Sequence, residues 1–121
     1  MKVLLVEDEI LIALDLEAML VRLGHTVCGI AATANNAITL ADRHRPDVVV
    51  MDIQLANGSV GTDAAREILD KHGIRCIFAS GNLDRKIRHS LTNLQPIDFL
   101  HKPVRFASLE IALSKVRRAQ Q

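Results

Sequence analysis

The chain carries no excess of either charge: 15 lysines and arginines face 14 aspartates and glutamates, a formal net of +1. That balance supplies no bulk field for a nucleic-acid backbone or an anionic membrane, and neither partner is expected. No apolar run approaches the about 20 residues of a membrane helix. Met1-Lys2-Val3 leads straight into a strand-like run and leaves no room for a signal peptide, so a soluble, cytoplasmic protein is expected. Low-complexity segments, linkers and a second compositional regime are all missing. One domain over residues 1–121, with no output domain attached, is therefore expected. A glycine-rich phosphate loop is missing as well. Glu7-Asp8-Glu9 stands where one would follow the first strand, and it would repel a phosphate unless a metal intervened. This disfavours a flavin- or nucleotide-binding α/β enzyme. Cysteine is scarce: Cys28 and Cys76 lie in apolar strand-like runs, read as buried free thiols, and make a poor zinc site without a second pair of ligands.

What is present is a core's worth of apolar residues, 49% of the chain, in alternating strand and helix patterns. Strands are predicted over 2–6, 26–30, 47–51, 75–79 and 97–101. The apolar positions Ile12, Leu16, Met19, Leu20 and Leu23 follow helical spacing up to Gly24. Ala34, Ala37, Ile38 and Ala41 mark a second helix ending before Pro46, and Ala64, Ala65, Ile68 and Leu69 a third, stopped by Gly73. Leu83, Ile87, Leu91 and Leu94 predict a fourth, with Arg85, Lys86, Arg88 and His89 outside. Phe106, Leu109, Leu113 and Val116 form the stripe of a fifth. Residues 53–60 are predicted as a loop. Five βα units imply an α/β fold, a doubly wound five-stranded parallel sheet with helices on both faces.

Short polar islands close four of these apolar runs: Glu7-Asp8, Asp52, Ser80 and Lys102-Pro103. In an open parallel sheet the ligand crevice lies outside the carboxyl ends of the strands, so all four converge on one edge. Carboxylates crowded there raise each other's pKa unless neutralised, which a hard divalent cation such as Mg²⁺ does well. Pro103 holds residue 102 extended and admits a cis bond; a lysine so aimed can pair with a carboxylate at rest and a phosphoryl oxygen afterwards. Ser80 offers a donor and Gly81 an accessible amide, although a serine before a glycine is usually only a turn. Acids at strand ends can also merely cap loops, but three at two strand ends with a lysine beside them fit a cation and a phosphoryl group better.

With these residues the chain resembles a response-regulator receiver domain of bacterial two-component signalling, over essentially its whole length. The resemblance implies strand order 2-1-3-4-5, the flavodoxin-like arrangement. It implies Asp52 as phosphoacceptor, Glu7 and Asp8 as the acidic pair holding Mg²⁺ with Asp52, and the backbone carbonyl of Gln54 as a further ligand. Ser80 matches the switch hydroxyl, Lys102 the family's lysine and Phe99 the switch aromatic. Gln54 and Asn82 flank the path of hydrolytic water and are implied to tune the phosphoryl lifetime. A sensor histidine kinase would donate the phosphoryl group, and the surface of the fourth helix, fifth strand and fifth helix would meet a downstream protein or phosphotransfer protein. Such a module phosphorylates only itself and is not an enzyme. In the implied order, Cys28 and Cys76 lie three strands apart, about 14 Å, too far for a disulfide.

Two departures stand out. The proline usual four residues after the acceptor is Ala56 here, and the glycine usual eight after it falls nine after, at Gly61. Phe78-Ala79-Ser80-Gly81 resembles a single-domain subgroup marked by Phe-Ala-Thr-Gly, with serine for threonine. The alternative within the same fold is a pseudo-receiver that binds partners without phosphorylation. A DNA-binding regulator would need a further domain. Of the histidines, His25, His44 and His72 sit near helix ends, where a solvated or dipole-friendly placement is expected, His89 lies on a basic helix face, and His101 adjoins Lys102.

Overall fold

The computed structural model describes residues 1–55 and 61–120, with the side chains of 117–120 left out. The parallel strands β1 (Lys2–Val6), β2 (Thr26–Ala31), β3 (Val48–Asp52), β4 (Cys76–Ser80) and β5 (Asp98–His101) form one sheet in the order β2-β1-β3-β4-β5. The helices are α1 (Ile10–Arg22), α2 (Ala34–His44), α3 (Gly61–His72), α4 (Arg85–Ser90) and α5 (Phe106–Gln120). The fold class and strand order are as expected.

Strand alternation sorts the core into two layers. Val3 and Leu5 of β1 with Val48 and Val50 of β3 pack toward Leu16, Leu20, Leu109 and Leu113 of α1 and α5. Leu4, Val6, Val49 and Met51 pack on the other face toward α2 and α3, with Ala37, Ala41 and Ile68. All five residues of β3 are buried, as befits the sheet centre.

Several boundaries differ from the sequence reading. β3 and β4 run one residue further, so Asp52 and Ser80 are the last residues of their strands, while β5 starts at Asp98. α1 starts two residues before Ile12. Gly24 ends its turn at φ +89°, a region glycine enters freely. The largest difference is the fourth helix. It is only six residues long and buries none of them; Leu91 and Leu94 are buried beyond it, around a 3-10 turn at Thr92–Leu94. The Ser90 hydroxyl donates to the Ile87 carbonyl and the Thr92 hydroxyl to the His89 carbonyl, 2.6 and 2.8 Å. Hydroxyl side chains of this kind are favoured at helix ends, where they supplement the backbone hydrogen bonds. The predicted loop is described only to Leu55; Ala56 lies outside the described residues.

His72 lies in the last turn of α3, as the dipole reading expects, but its ring is nearly buried rather than solvated, and its Nε2 lies 2.6 Å from Asp42 Oδ1, tying α3 to α2. That hydrogen bond holds the Asp42 carboxyl below its ordinary pKa. Cys76 is buried, as expected, and burial pushes its thiol up to about 12; Cys28 is only partly buried. Burial raises the Cys28 thiol as well, but leaves it partly open to reagent, so iodoacetamide should label Cys28 slowly in the native protein and Cys76 only on unfolding. Peptide mass mapping with and without denaturant checks this, and equal native labelling would contradict it.

Candidate phosphoryl and metal site

The sheet register assembles the site. β1 pairs with β3 through Val6 opposite Met51, so the next residues, Glu7 and Asp52, emerge side by side. β4 pairs with β5 through Ser80 opposite His101, which brings Lys102 to the same edge. The Lys102-Pro103 bond is cis.

Glu7 and Asp52, 3% and 7% exposed, are the buried charged residues among those described. Lys102 lies between them, its Nζ donating to Glu7 Oε1 at 2.5 Å and Asp52 Oδ2 at 3.0 Å. The outer oxygens are also held: the Glu9 amide donates to Glu7 Oε2 and the Gln54 amide to Asp52 Oδ1, each at 3.2 Å. Burial alone would lower the Lys102 pKa. Its hydrogen bonds to Glu7 and Asp52 outweigh that and raise it above the ordinary lysine value, so the ammonium stays charged.

Asp8 is exposed, yet one oxygen from each of Glu7, Asp8 and Asp52 lies within 4.8 Å of the others. An all-oxygen, trianionic donor set of this kind fits a hard divalent cation. Asp8, Asp52 and Lys102 line a cleft of 460 Å³ together with Gln54, Ser80, Gly81 and Asn82. Every predicted site residue except Glu7 and Phe99 thus opens onto one cavity, and Glu7 lies beneath it on Lys102. The Ser80 hydroxyl is engaged locally, donating to the Asn82 carbonyl at 3.2 Å and accepting from the Asn82 amide at 3.1 Å. Gly81 is exposed on the cleft wall, and a Cβ there would meet nothing within 4 Å.

Phe99 stands apart from the cleft. Its ring stacks on Phe78 at 6.2 Å between centroids, and Arg88 lies over it at 5.2 Å. His101 turns away, its Nδ1 within 2.8 Å of the Lys102 carbonyl.

Glu9, read in the sequence only as part of the acidic run after the first strand, lines the cleft rim. One feature of the site went unread in the sequence. Gly61, noted there only for its offset, is a steric necessity: its amide donates to the Ile53 carbonyl at 2.8 Å, and a Cβ on it would fall 2.1 Å from the Asp52 carbonyl oxygen. The start of α3 therefore rests on the backbone that carries Asp52.

The response regulator receiver domain family matches residues 3–114, nearly the whole of this fold and all of this site. The chain is a response regulator receiver domain. It is 36% identical over 121 residues to the phyllosphere-induced regulator PhyR of Methylorubrum extorquens, covering 99% of this chain and 45% of that protein. With the transcriptional regulatory protein PdtaR of Mycobacterium tuberculosis it shares 32% identity, covering 96% and 58%. The receiver domain thus spans about half the length of the curated relatives it matches. Among solved structures, the response regulator PhyR of Brucella abortus superposes with a TM-score of 0.84 at 35% identity, over 99% of this chain and 50% of that one. Among the described residues, no helix of the receiver domain is long and apolar enough to cross a membrane.

Proposed function

We propose that this receiver domain accepts a phosphoryl group on Asp52 from a phosphohistidine of a sensor kinase, in a Mg²⁺-dependent reaction. The observation that carries the reading is the Glu7–Lys102–Asp52 array at the floor of an open cleft: a buried nucleophilic carboxylate, a cation already on it and further carboxylates beside it. Asp52 attacks phosphorus, the bond to the imidazole nitrogen breaks, and the electron pair leaves with that nitrogen. Glu7, Asp8, Asp52 and the Gln54 carbonyl would hold Mg²⁺, which when bound neutralises charge on the phosphoryl oxygens. Lys102 moves from carboxylate partner to phosphoryl partner, and Ser80 exchanges its bond to Asn82 for one to a phosphoryl oxygen. Gln54 and Asn82, at the cleft wall, govern the approach of hydrolytic water. Recruitment of Ser80 frees Phe99 to rotate, which biases the surface of α4, β5 and α5 toward a downstream protein or phosphotransfer protein. The domain modifies only itself, and its setting is the cytoplasm.

Intact mass after incubation with acetyl phosphate tests this. One added phosphoryl group is expected for wild type with Mg²⁺, and none without Mg²⁺ or in Asp52→Ala. An adduct in Asp52→Ala would overturn the reading. No adduct from acetyl phosphate or from any kinase, with Mg²⁺ shown to bind, would favour a pseudo-receiver.

A feature of α1 supports a helical phosphodonor partner. Leu11, Leu14, Ala18 and Val21 are exposed at heptad spacing, Leu11 by 78% and Val21 by 59%, on a helix that starts beside Glu9 of the cleft. Such a stripe is the seam that another helix packs against. Leu11→Glu with Leu14→Glu should slow transfer from any kinase that serves the wild type by about tenfold or more. Uptake from acetyl phosphate should be unchanged. Equal kinase rates in both proteins would contradict this contact.

A further inference from the structure

The face of α4, β5 and α5 carries a groove of 480 Å³, as large as the cleft at Asp52. Its apolar surface is Phe99 and Pro103, since Leu100 beside them is 2% exposed and packs in the core layer under α1 and α5, and its charged groups are Arg88 and Arg105, with His101 between them. Among the described residues, no carboxylate lines it. Of the acids nearest in sequence, Asp98 accepts from Lys115 at 2.8 Å, Asp84 caps α4 by accepting from the Ile87 amide at 2.9 Å, and Glu110 lines a different hollow with Met1, Leu23 and His25. Arg85, Lys86, Arg88 and Arg105 make no ion pair among the described residues. Arg88 is held in place by its Nε–H bond to the Leu83 carbonyl at 3.0 Å and by its position over Phe99. The exposed Ile111, on the same helical row as Ser108 and Lys115, extends the apolar surface along α5.

We infer that this groove binds an acidic segment of a partner protein, with an apolar side chain on Phe99 and Pro103 and carboxylates on Arg88 and Arg105. The inference rests on the proposed switching of this face and adds the chemistry of what the face takes. Charge complementarity selects the occupant: guanidinium groups suit bidentate carboxylates, and here they border an aromatic and aliphatic floor. A nucleic acid would call for a longer basic stripe than two arginines in a chain of net charge +1.

The test pans a displayed library of random short peptides against the protein with and without Mg²⁺ and acetyl phosphate, with the Asp52 adduct followed by intact mass. Peptides enriched in aspartate and glutamate around an apolar anchor are expected, their affinity falling as salt rises. Arg88→Glu with Arg105→Glu should weaken them by about tenfold or more and accept lysine-substituted versions of the same peptides instead. Circular dichroism confirms that the variant is folded. Selected peptides without acidic bias, or affinity indifferent to the charge reversal, would overturn the inference. So would a single-stranded oligonucleotide that binds through the same arginines. An adduct without acidic peptides would sink this inference alone, whereas acidic peptides without an adduct would uphold the groove and count against the phosphoacceptor reading.

Discussion

Lys102→Ala is expected to slow phosphoryl uptake by about a hundredfold or more, because it removes the one fixed cation beside the developing phosphoryl charge. The same change leaves Glu7 and Asp52, both buried, as crowded carboxylates without their shared donor. A buried pair broken from one side costs several kcal/mol, and the partial exposure of Lys102 reduces that to about 2 kcal/mol. Added Mg²⁺ should recover much of the lost stability and should bind more tightly than to wild type, since a competing positive charge has gone from the cluster. Lys102→Arg separates the roles: it keeps the charge and should restore stability, but its planar fork cannot occupy the same point and should not restore the rate. Thermal melts with and without Mg²⁺, alongside the rate of adduct formation, check all of this. An alanine variant with wild-type uptake would show that the lysine is only structural.

Gly61→Ala should be the most damaging small substitution in the chain. The new methyl would meet the Asp52 carbonyl oxygen at 2.1 Å, backbone against backbone, so neither side can yield by turning a rotamer. Either α3 moves off or the end of β3 shifts, at a cost of about 3 kcal/mol, the upper range for overpacking. Because the displaced backbone carries the nucleophile, uptake should slow as well. Gly81→Ala is the control, as a methyl there meets nothing within 4 Å. Urea unfolding of both variants gives the comparison, and equal midpoints would contradict the steric account.

The convergence of Glu7, Asp8, Asp52, Ser80 and Lys102 was legible in the sequence because each ends an apolar run, and parallel strands deliver their ends to one edge. Strand ends moved by a residue without consequence for the site. The extent of α4 was not legible. Its apolar positions keep helical spacing, but only Ile87 of the four lies within the helix, and a 3-10 turn at Thr92–Leu94 follows it. Spacing records which residues are apolar and is silent on where the backbone passes from an α to a 3-10 turn, since both bury residues three apart. The need for glycine at 61 was hidden for a similar reason: a close approach between two backbones leaves no pattern in side-chain hydropathy. Asp42 and His72, thirty residues apart, meet only because α2 and α3 pack side by side.

The most direct measurement is to trap the phosphorylated protein with borohydride, which reduces an aspartyl phosphate to homoserine, and to sequence the peptide that contains residue 52 by tandem mass spectrometry. The account predicts homoserine at position 52, formed only after Mg²⁺ and a phosphodonor have been supplied. Homoserine at another aspartate, or phosphate recovered on a histidine or serine with Asp52 unmodified, would contradict it.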